Sequence, residues 1–218
     1  MADLDRSAIS AMRKSYGEKG LVEGELNSDP ILQFQSWLAD AANNPIIVEA
    51  NAMVLSTLHS GAPIARTVLL KDVSEAGFTF FTNYNSRKSH DIEASPAVSL
   101  LFPWFAMERQ VIVTGVATRV SPSESDSYFA TRPWSSQIGA WASEQSQVLE
   151  SRSELEKRWA EFATQYPEGT TVPRPSHWGG FIVRANSLEF WQGRYSRLHD
   201  RIRYSRVGQS WEIERFFP

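Results

Sequence analysis

The chain has 218 residues, a formal net charge of -3 and no cysteine. That length buries a sizeable core in one domain or two small ones, and the missing thiols exclude disulfides and thiolate metal sites. There is no long apolar run and no apolar signal core at the start, so neither membrane spanning nor secretion is expected and the cytoplasm is the default location.

Residues 1–28 are polar with scattered charges and glycines, the pattern of a loose, mobile N-terminal segment. Asp29-Pro30 then supplies an N-cap and a first helical residue, and Ile31, Phe34, Leu38 and Ala41 follow at helical spacing. From Ala52 the pattern changes. Ala52–His59, Ile64–Lys71, Phe78–Thr82, Ala97–Phe102 and Gln110–Val120 are rich in Val, Ile, Thr and Phe, with turn residues between several of them. They predict a run of short antiparallel strands, interrupted by a helix over Ser86–Ala94. Ser121-Pro122-Ser123-Glu124 is a capping box, and the helix it opens should end near Arg132, because Pro133 disfavours helical geometry before it. Ser151-Arg152-Ser153-Glu154 is a second box, and Leu155, Trp159, Phe162 and Tyr166 form a stripe that reads as core. Pro167 to Ser176 holds three prolines and reads as a linker. Three or four strands follow, through Trp211–Phe216. The order predicts a mainly β fold with inserted helices (α+β), and composition does not choose between barrel and sandwich.

Several groups of residues are suited to chemistry. Arg197, His199 and Arg201 fall at every second position, so on a strand they would share a face with Trp191 just upstream. Six arginines against two acids between Arg184 and Arg206, in a mildly acidic chain, suit a small anionic ligand and not nucleic acid. A solvated edge strand fits the same spacing. Tyr128 and Arg132 share a helix face, with Ser136 past the Pro133 break. The three suit a phosphate monoester, although an exposed helix end has the same pattern. Arg87 and Lys88 open a helix, where backbone N–H groups favour an anion; a solvated first turn is the alternative. Strict alternation puts Arg66 and Lys71 on opposite strand faces. The four histidines, His59, His90, His177 and His199, lack metal-ligand spacing, so no metal site is expected. Eight Trp and twelve Phe suit buried area, interfaces and flat ring ligands.

The string Trp191-Gln192-Gly193 followed by Arg197-Leu198-His199-Asp200-Arg201 resembles the C-terminal signature of pyridoxamine/pyridoxine 5′-phosphate oxidases. Further matches follow in the family's order: Arg66 to Lys71, Ser86-Arg87-Lys88, Leu101 to Trp104, Glu108-Arg109-Gln110, Ser136 to Trp141, Gln145-Ser146 and Trp178 to Phe181. The resemblance covers about Tyr16 to Pro218. It implies an FMN-binding split β-barrel, with residues 29–166 as core and residues 174–218 completing the barrel, and a homodimer with its sites at the subunit interface. It implies oxidation of pyridoxamine and pyridoxine 5′-phosphates to pyridoxal 5′-phosphate by O2, releasing H2O2 and, from the amine, ammonia.

Residue by residue, the resemblance assigns Lys71, Tyr128, Arg132 and Ser136 to the substrate phosphate, and Arg197 and His199 to the reacting ring. Arg13 and Tyr16 match a segment that closes over the site. FMN contacts are implied for Arg66, Thr67, Val68, Leu69, Leu70, Lys71, Phe81, Thr82, Arg87, Lys88, Gln110, Gln145, Ser146, Trp191 and Arg201. Trp191 alone would read as a core residue, and Trp104, Trp141 and Trp178 are taken as structural. Three places depart from the family pattern: Arg194-Tyr195-Ser196, Trp134 in place of a basic residue, and the ending Phe216-Phe217-Pro218. The alternatives are a related flavin oxidase of phenazine biosynthesis, a non-catalytic binder of flavin or pyridoxal phosphate, and a haem-binding relative with His199 as axial ligand.

Overall fold

The computed structural model of the protein describes residues 14–18 and 20–218. Arg13 lies outside the described residues. Asp29 caps α1 (Pro30–Ala42) by accepting from the Ile31 amide at 2.8 Å, and Pro30 at the first helical position has no amide to leave orphaned. Ile31, Phe34, Trp37 and Ala41 are buried, while Leu38 is only half-buried. Phe34 meets Phe102, Phe78 and Trp104 with ring centroids 4.7, 4.9 and 5.9 Å away, which ties α1 to the sheet.

Nine strands follow: β1 (Ala52–His59), β2 (Ala62–Leu69), β3 (Asp72–Ser74), β4 (Gly77–Asn83), β5 (Ala97–Trp104), β6 (Arg109–Arg119), β7 (Trp178–Gln192), β8 (Asp200–Val207) and β9 (Ser210–Phe216). They form one antiparallel sheet in the order β2-β1-β5-β6-β7-β4-β3, with β8 between β7 and β9. Alternation sends Val98, Leu100, Phe102 and Trp104 of β5 inward. Strand β7 is the pivot. Residues 178–183 pair with β4 and residues 187–192 pair with β8, while β6 runs along the other edge. The β6–β7 register shifts at Thr114/Gly115, leaving Asn186 unmatched. A Cβ on Gly115 would run into the Arg184 carbonyl. Such a bulge bends its strand, so the two halves of β7 serve two arms. The result is the expected mainly β, split-barrel architecture with helices inserted.

The helices are α2 (Arg87–Ala94), α3 (Pro122–Thr131), α4 (Trp134–Ala142) and α5 (Arg152–Gln165). The Ser121–Glu124 capping box is formed, and Arg132 is the C-cap of α3. At four places the structure refines or corrects the sequence expectations. Helix α4 was not foreseen: Pro133 ends α3 and also serves as the N-cap of α4, so a helix breaker marks a corner between two helices. No residue of α5 is buried; Trp159, Phe162 and Tyr166 lie half-buried on a small second cluster around Phe129, Ile138, Val172 and Trp178. Strand β2 stops at Leu69, and the Lys71 amide donates to the Thr79 carbonyl of β4 at 2.8 Å, so strict alternation does not relate Arg66 to Lys71. The largest correction concerns Arg197, His199 and Arg201. Residues Tyr195–Arg197 form a 3-10 turn and β8 begins only at Asp200, so the three do not share a strand face. Ser196 and Arg197 have φ of 54° and 62°, a region that costs non-glycine residues energy and clusters at functional sites.

Candidate functional site

A cavity of about 650 Å³ opens where β2, β4, α2, α3 and α4 meet, a size that suits small-molecule ligands. Each wall follows from local structure. The end of β2 contributes Thr67, Val68 and Leu69, with Lys71 just beyond. The α3–α4 corner contributes Tyr128, Arg132 and Ser136, so the proline break turns residues from two helices into one hollow. Phe81 and Thr82 come from β4, Lys88 from α2, and Gln145 from the chain after α4. Eleven of the residues expected at the site therefore line one space.

The chemistry of this cavity is cationic, and burial desolvates two of its cations, Arg132 and Lys88. Arg132 lies 4.6 Å from the centroid of Trp178, and its Nη1 is buried with no hydrogen-bond partner among the described residues. Burial pushes its pKa down, yet a guanidinium stays charged. A buried donor without a partner is costly, and an anionic ligand would remove that cost. Lys88 Nζ donates to Gln145 Oε1 at 2.7 Å and to Thr82 and Ser86 hydroxyls at 3.0 Å. Burial, followed by the charge of Arg66, brings its pKa down to about 8. The Arg87 amide, at the start of α2, donates to Ser146 Oγ at 3.2 Å, and Ser146 holds φ 76°.

The remaining predicted residues lie elsewhere. Arg66 does not line the cavity itself; it lies behind Lys88, close enough to lower its pKa, and donates to Thr57 Oγ1 at 2.7 Å. Leu70 is buried in the core. Gln110 sits opposite Trp191 in the β6–β7 register. Tyr16 packs edge-on against Trp191 and His199, with centroids 5.9 and 5.3 Å away, and His199 Nδ1 accepts from the Arg194 amide at 3.0 Å. Arg197 is exposed. Arg201 and Arg203 both bond to the buried Glu189, at 2.8 and 2.7 Å, so two of the six arginines of the apparent cationic strip already share a carboxylate. The structure thus presents two constellations in one chain, a phosphate-suited cavity and an aromatic and cationic cluster around Tyr16, Trp191, Arg197 and His199. None of the latter four lines the cavity.

Trp178 was missed as a site residue. It lines the cavity, under Arg132, and stacks at 10° on Phe81, which in turn stacks on Tyr128 with centroids 4.0 Å apart. The signal was the Gly179-Gly180 pair after it: a Cβ on Gly180 would come within 2.7 Å of the Phe81 ring. Trp134, the departure at the rim, donates to the Tyr166 carbonyl and packs on Trp159, away from the cavity.

Residues 39–166 match the family model described as pyridoxamine 5′-phosphate oxidase, and residues 178–218 match that of the pyridoxine 5′-phosphate oxidase C-terminal dimerisation region. The chain is 50% identical to a pyridoxine/pyridoxamine 5′-phosphate oxidase of Streptomyces avermitilis, covering 98% of this chain and 99% of that one. It is 52% identical to that of Rubrobacter xylanophilus, covering 98% of each. Among solved structures it resembles PhzG from Burkholderia lata in complex with tetrahydrophenazine-1-carboxylic acid, with a TM-score of 0.85 and 28% identity over 93% of this chain and all of that one. A pyridoxamine 5′-phosphate oxidase-related, FMN-binding protein from Nostoc punctiforme shares the fold, with a TM-score of 0.68 and 16% identity over 85% of this chain and 97% of that one.

Proposed function

Because the chain belongs to the pyridoxine/pyridoxamine 5′-phosphate oxidase family of oxidoreductases, we propose that it oxidises pyridoxamine 5′-phosphate and pyridoxine 5′-phosphate to pyridoxal 5′-phosphate. In this reading FMN is the cofactor, O2 the acceptor and H2O2 a product, with ammonia released from the amine. The observation that carries it is the cavity that gathers Lys71, Tyr128, Ser136 and Arg132, whose Nη1 is buried and has no partner among the described residues. That donor set fits a phosphate monoester: a fork-shaped cation, a point-charge cation and two hydroxyls.

The residues present also fit FMN. Lys88, Thr82 and Gln145 place an ammonium, a hydroxyl and an amide on the same cavity wall, and the Arg87 amide opens a helix beside them. Arg66, Arg87 and Lys88 would face its phosphate end. Bound FMN would supply the redox chemistry, a two-electron oxidation at the substrate's C4′ carbon with O2 as final acceptor. The protein's part is then to bind, orient and exclude water. Lys71, Tyr128, Arg132 and Ser136 anchor the phosphate, and the stacked Phe81, Tyr128 and Trp178 rings keep that wall dry. Arg197 and His199 hold the ring in a reactive pose.

A single chain does not bring Arg197 and His199 to its cavity, which supports a homodimer in which a second copy supplies them. The match of residues 178–218 to a dimerisation region supports the same arrangement. Tyr16 then closes on the ring-holding cluster. A second reading, oxidation of a reduced phenazine, is favoured by the likeness to PhzG. Lys71 and Arg132 weigh against it, since two cations match a dianionic phosphate monoester better than a monoanionic carboxylate. The test is a spectrum of purified protein before and after anaerobic pyridoxamine 5′-phosphate. Bleaching of a bound flavin, then peroxide release on admitting air, is expected. A colourless protein that takes up no FMN, or a flavin that stays oxidised, would overturn the proposal.

A further inference from the structure

Behind Arg66 lies a polar cluster, Asp91, Thr57 and His59, to which the proposed reaction assigns no role. Asp91, on α2, is buried at 4% exposure, one turn past Arg87 and Lys88. Its Oδ2 accepts from Thr57 Oγ1 at 2.9 Å, and its Oδ1 lies 2.6 Å from His59 Nδ1. Arg66 Nη1 donates to the same Thr57 oxygen at 2.7 Å and to the Leu55 carbonyl at 3.2 Å, while its Nη2 lies 3.6 Å from Asp91 Oδ2. The hydroxyl therefore works as a relay, accepting from the guanidinium and donating to the carboxylate. Strand β1 supplies Thr57 and His59, β2 supplies Arg66 and α2 supplies Asp91, so the cluster ties three elements together.

We propose that Asp91 is a positioning residue, which through Thr57 and its own ion pair holds Arg66 ready for the phosphate of the flavin cofactor.

The physical need is visible in the charges. Burial lowers the pKa of Arg66, Asp91 opposes that and Arg87 adds to it, while Arg66 in turn lowers Lys88. Arg66 thus repels both Arg87 and Lys88 before any anion arrives. Burial alone would push the Asp91 carboxyl up, but hydrogen bonds from His59 and Thr57, with the charge of Arg66, hold it below the usual carboxylate range. Asp91 is thus a fixed negative charge beside Arg66, the cation that faces the other two. It offsets the repulsion felt by Arg66 and fixes that guanidinium, so less ordering remains to be done when phosphate binds.

This inference rests on the cofactor reading above, and flavin binding separates the two. The full-length chain, stripped of flavin, is titrated with FMN and with riboflavin, which lacks the phosphate, following flavin fluorescence. In D91N the Kd for FMN should rise about tenfold, the scale of a lost hydrogen bond to a charged group, while the Kd for riboflavin stays unchanged. T57V, close in shape, should give a smaller rise with the same selectivity and serves if D91N does not fold. Unchanged FMN affinity in both variants overturns the inference. Equal weakening for both flavins also overturns it, because a scaffold role would not distinguish them. A wild-type chain that binds riboflavin and FMN equally, or neither, overturns the cofactor reading and this inference with it.

Discussion

Arg132 and Arg197 illustrate how differently two arginines can serve one site. Arg132 lies against Trp178 with one nitrogen that has no partner among the described residues, so its proposed work is binding. Arg197 stands exposed on a turn with positive φ, so its proposed work is orientation. Arg197→Met should lower kcat/KM on the order of a hundredfold, the cost of about 1 Å of misplacement, with flavin content nearly unchanged. Arg132→Met should mainly raise KM, because a phosphate contact is made equally in ground and transition states. Steady-state kinetics with flavin occupancy decides this; an Arg197→Met enzyme with wild-type kcat/KM would refute the ring-holding role. Lys88 adds a pH dependence. Its pKa falls from 10.5 to about 8 on folding, so the unfolded chain binds more protons between those values. The flavin-free protein should therefore gain stability as pH rises through that window. Phosphate binding runs the other way, since it needs the charged amine. FMN affinity should be flat from about pH 7 to 8 and then fall by up to about tenfold per pH unit. Fluorescence titrations across that range, with Lys88→Met as a control that lacks the bend, test it.

The elements show which local signals carry through to tertiary structure. The Asp29-Pro30 start of α1 and the capping box of α3 are local matters of a side chain and a nearby amide, and both appear as expected, as do the strands β1 and β5. Helix α4 was hidden because Gly139 and two serines weaken its propensity and Pro133 reads as an end; packing against α5 stabilises it. The stripe on α5 was visible, but its partner was not, so a face that reads as core lies over a small satellite cluster. Helix α1 is where element packing can be tested. Phe34 is fully buried among three aromatic rings, and Phe34→Ala should cost about 3–5 kcal/mol through lost burial and a residual cavity. Urea unfolding monitored by circular dichroism measures it; a loss below about 1 kcal/mol would mean that α1 is not anchored as described.

At the scale of the molecule, the bend in β7 separates the cavity from the cluster around Trp191, and the proposed dimer reunites them. Two inactive variants, one altered at Lys88 and one at Arg197, should regain partial activity when unfolded and refolded together, because a mixed dimer holds one intact site. Activity that stays at the level of the separate variants, or a fully active monomer in sedimentation, would exclude the shared site. The sequence by itself determined the family, the β-rich order and the identity of the phosphate-suited residues, because motif spacing and side-chain chemistry are properties of the chain. Only the tertiary structure decided which of those residues meet. It broke the Arg197–Arg201 strip at a turn, paired Arg201 with Glu189, and placed Trp178 beneath Arg132. Those outcomes depend on positive φ values, on counter-charges distant in sequence and on the close approach that Gly180 permits, and no single segment of the chain encodes them.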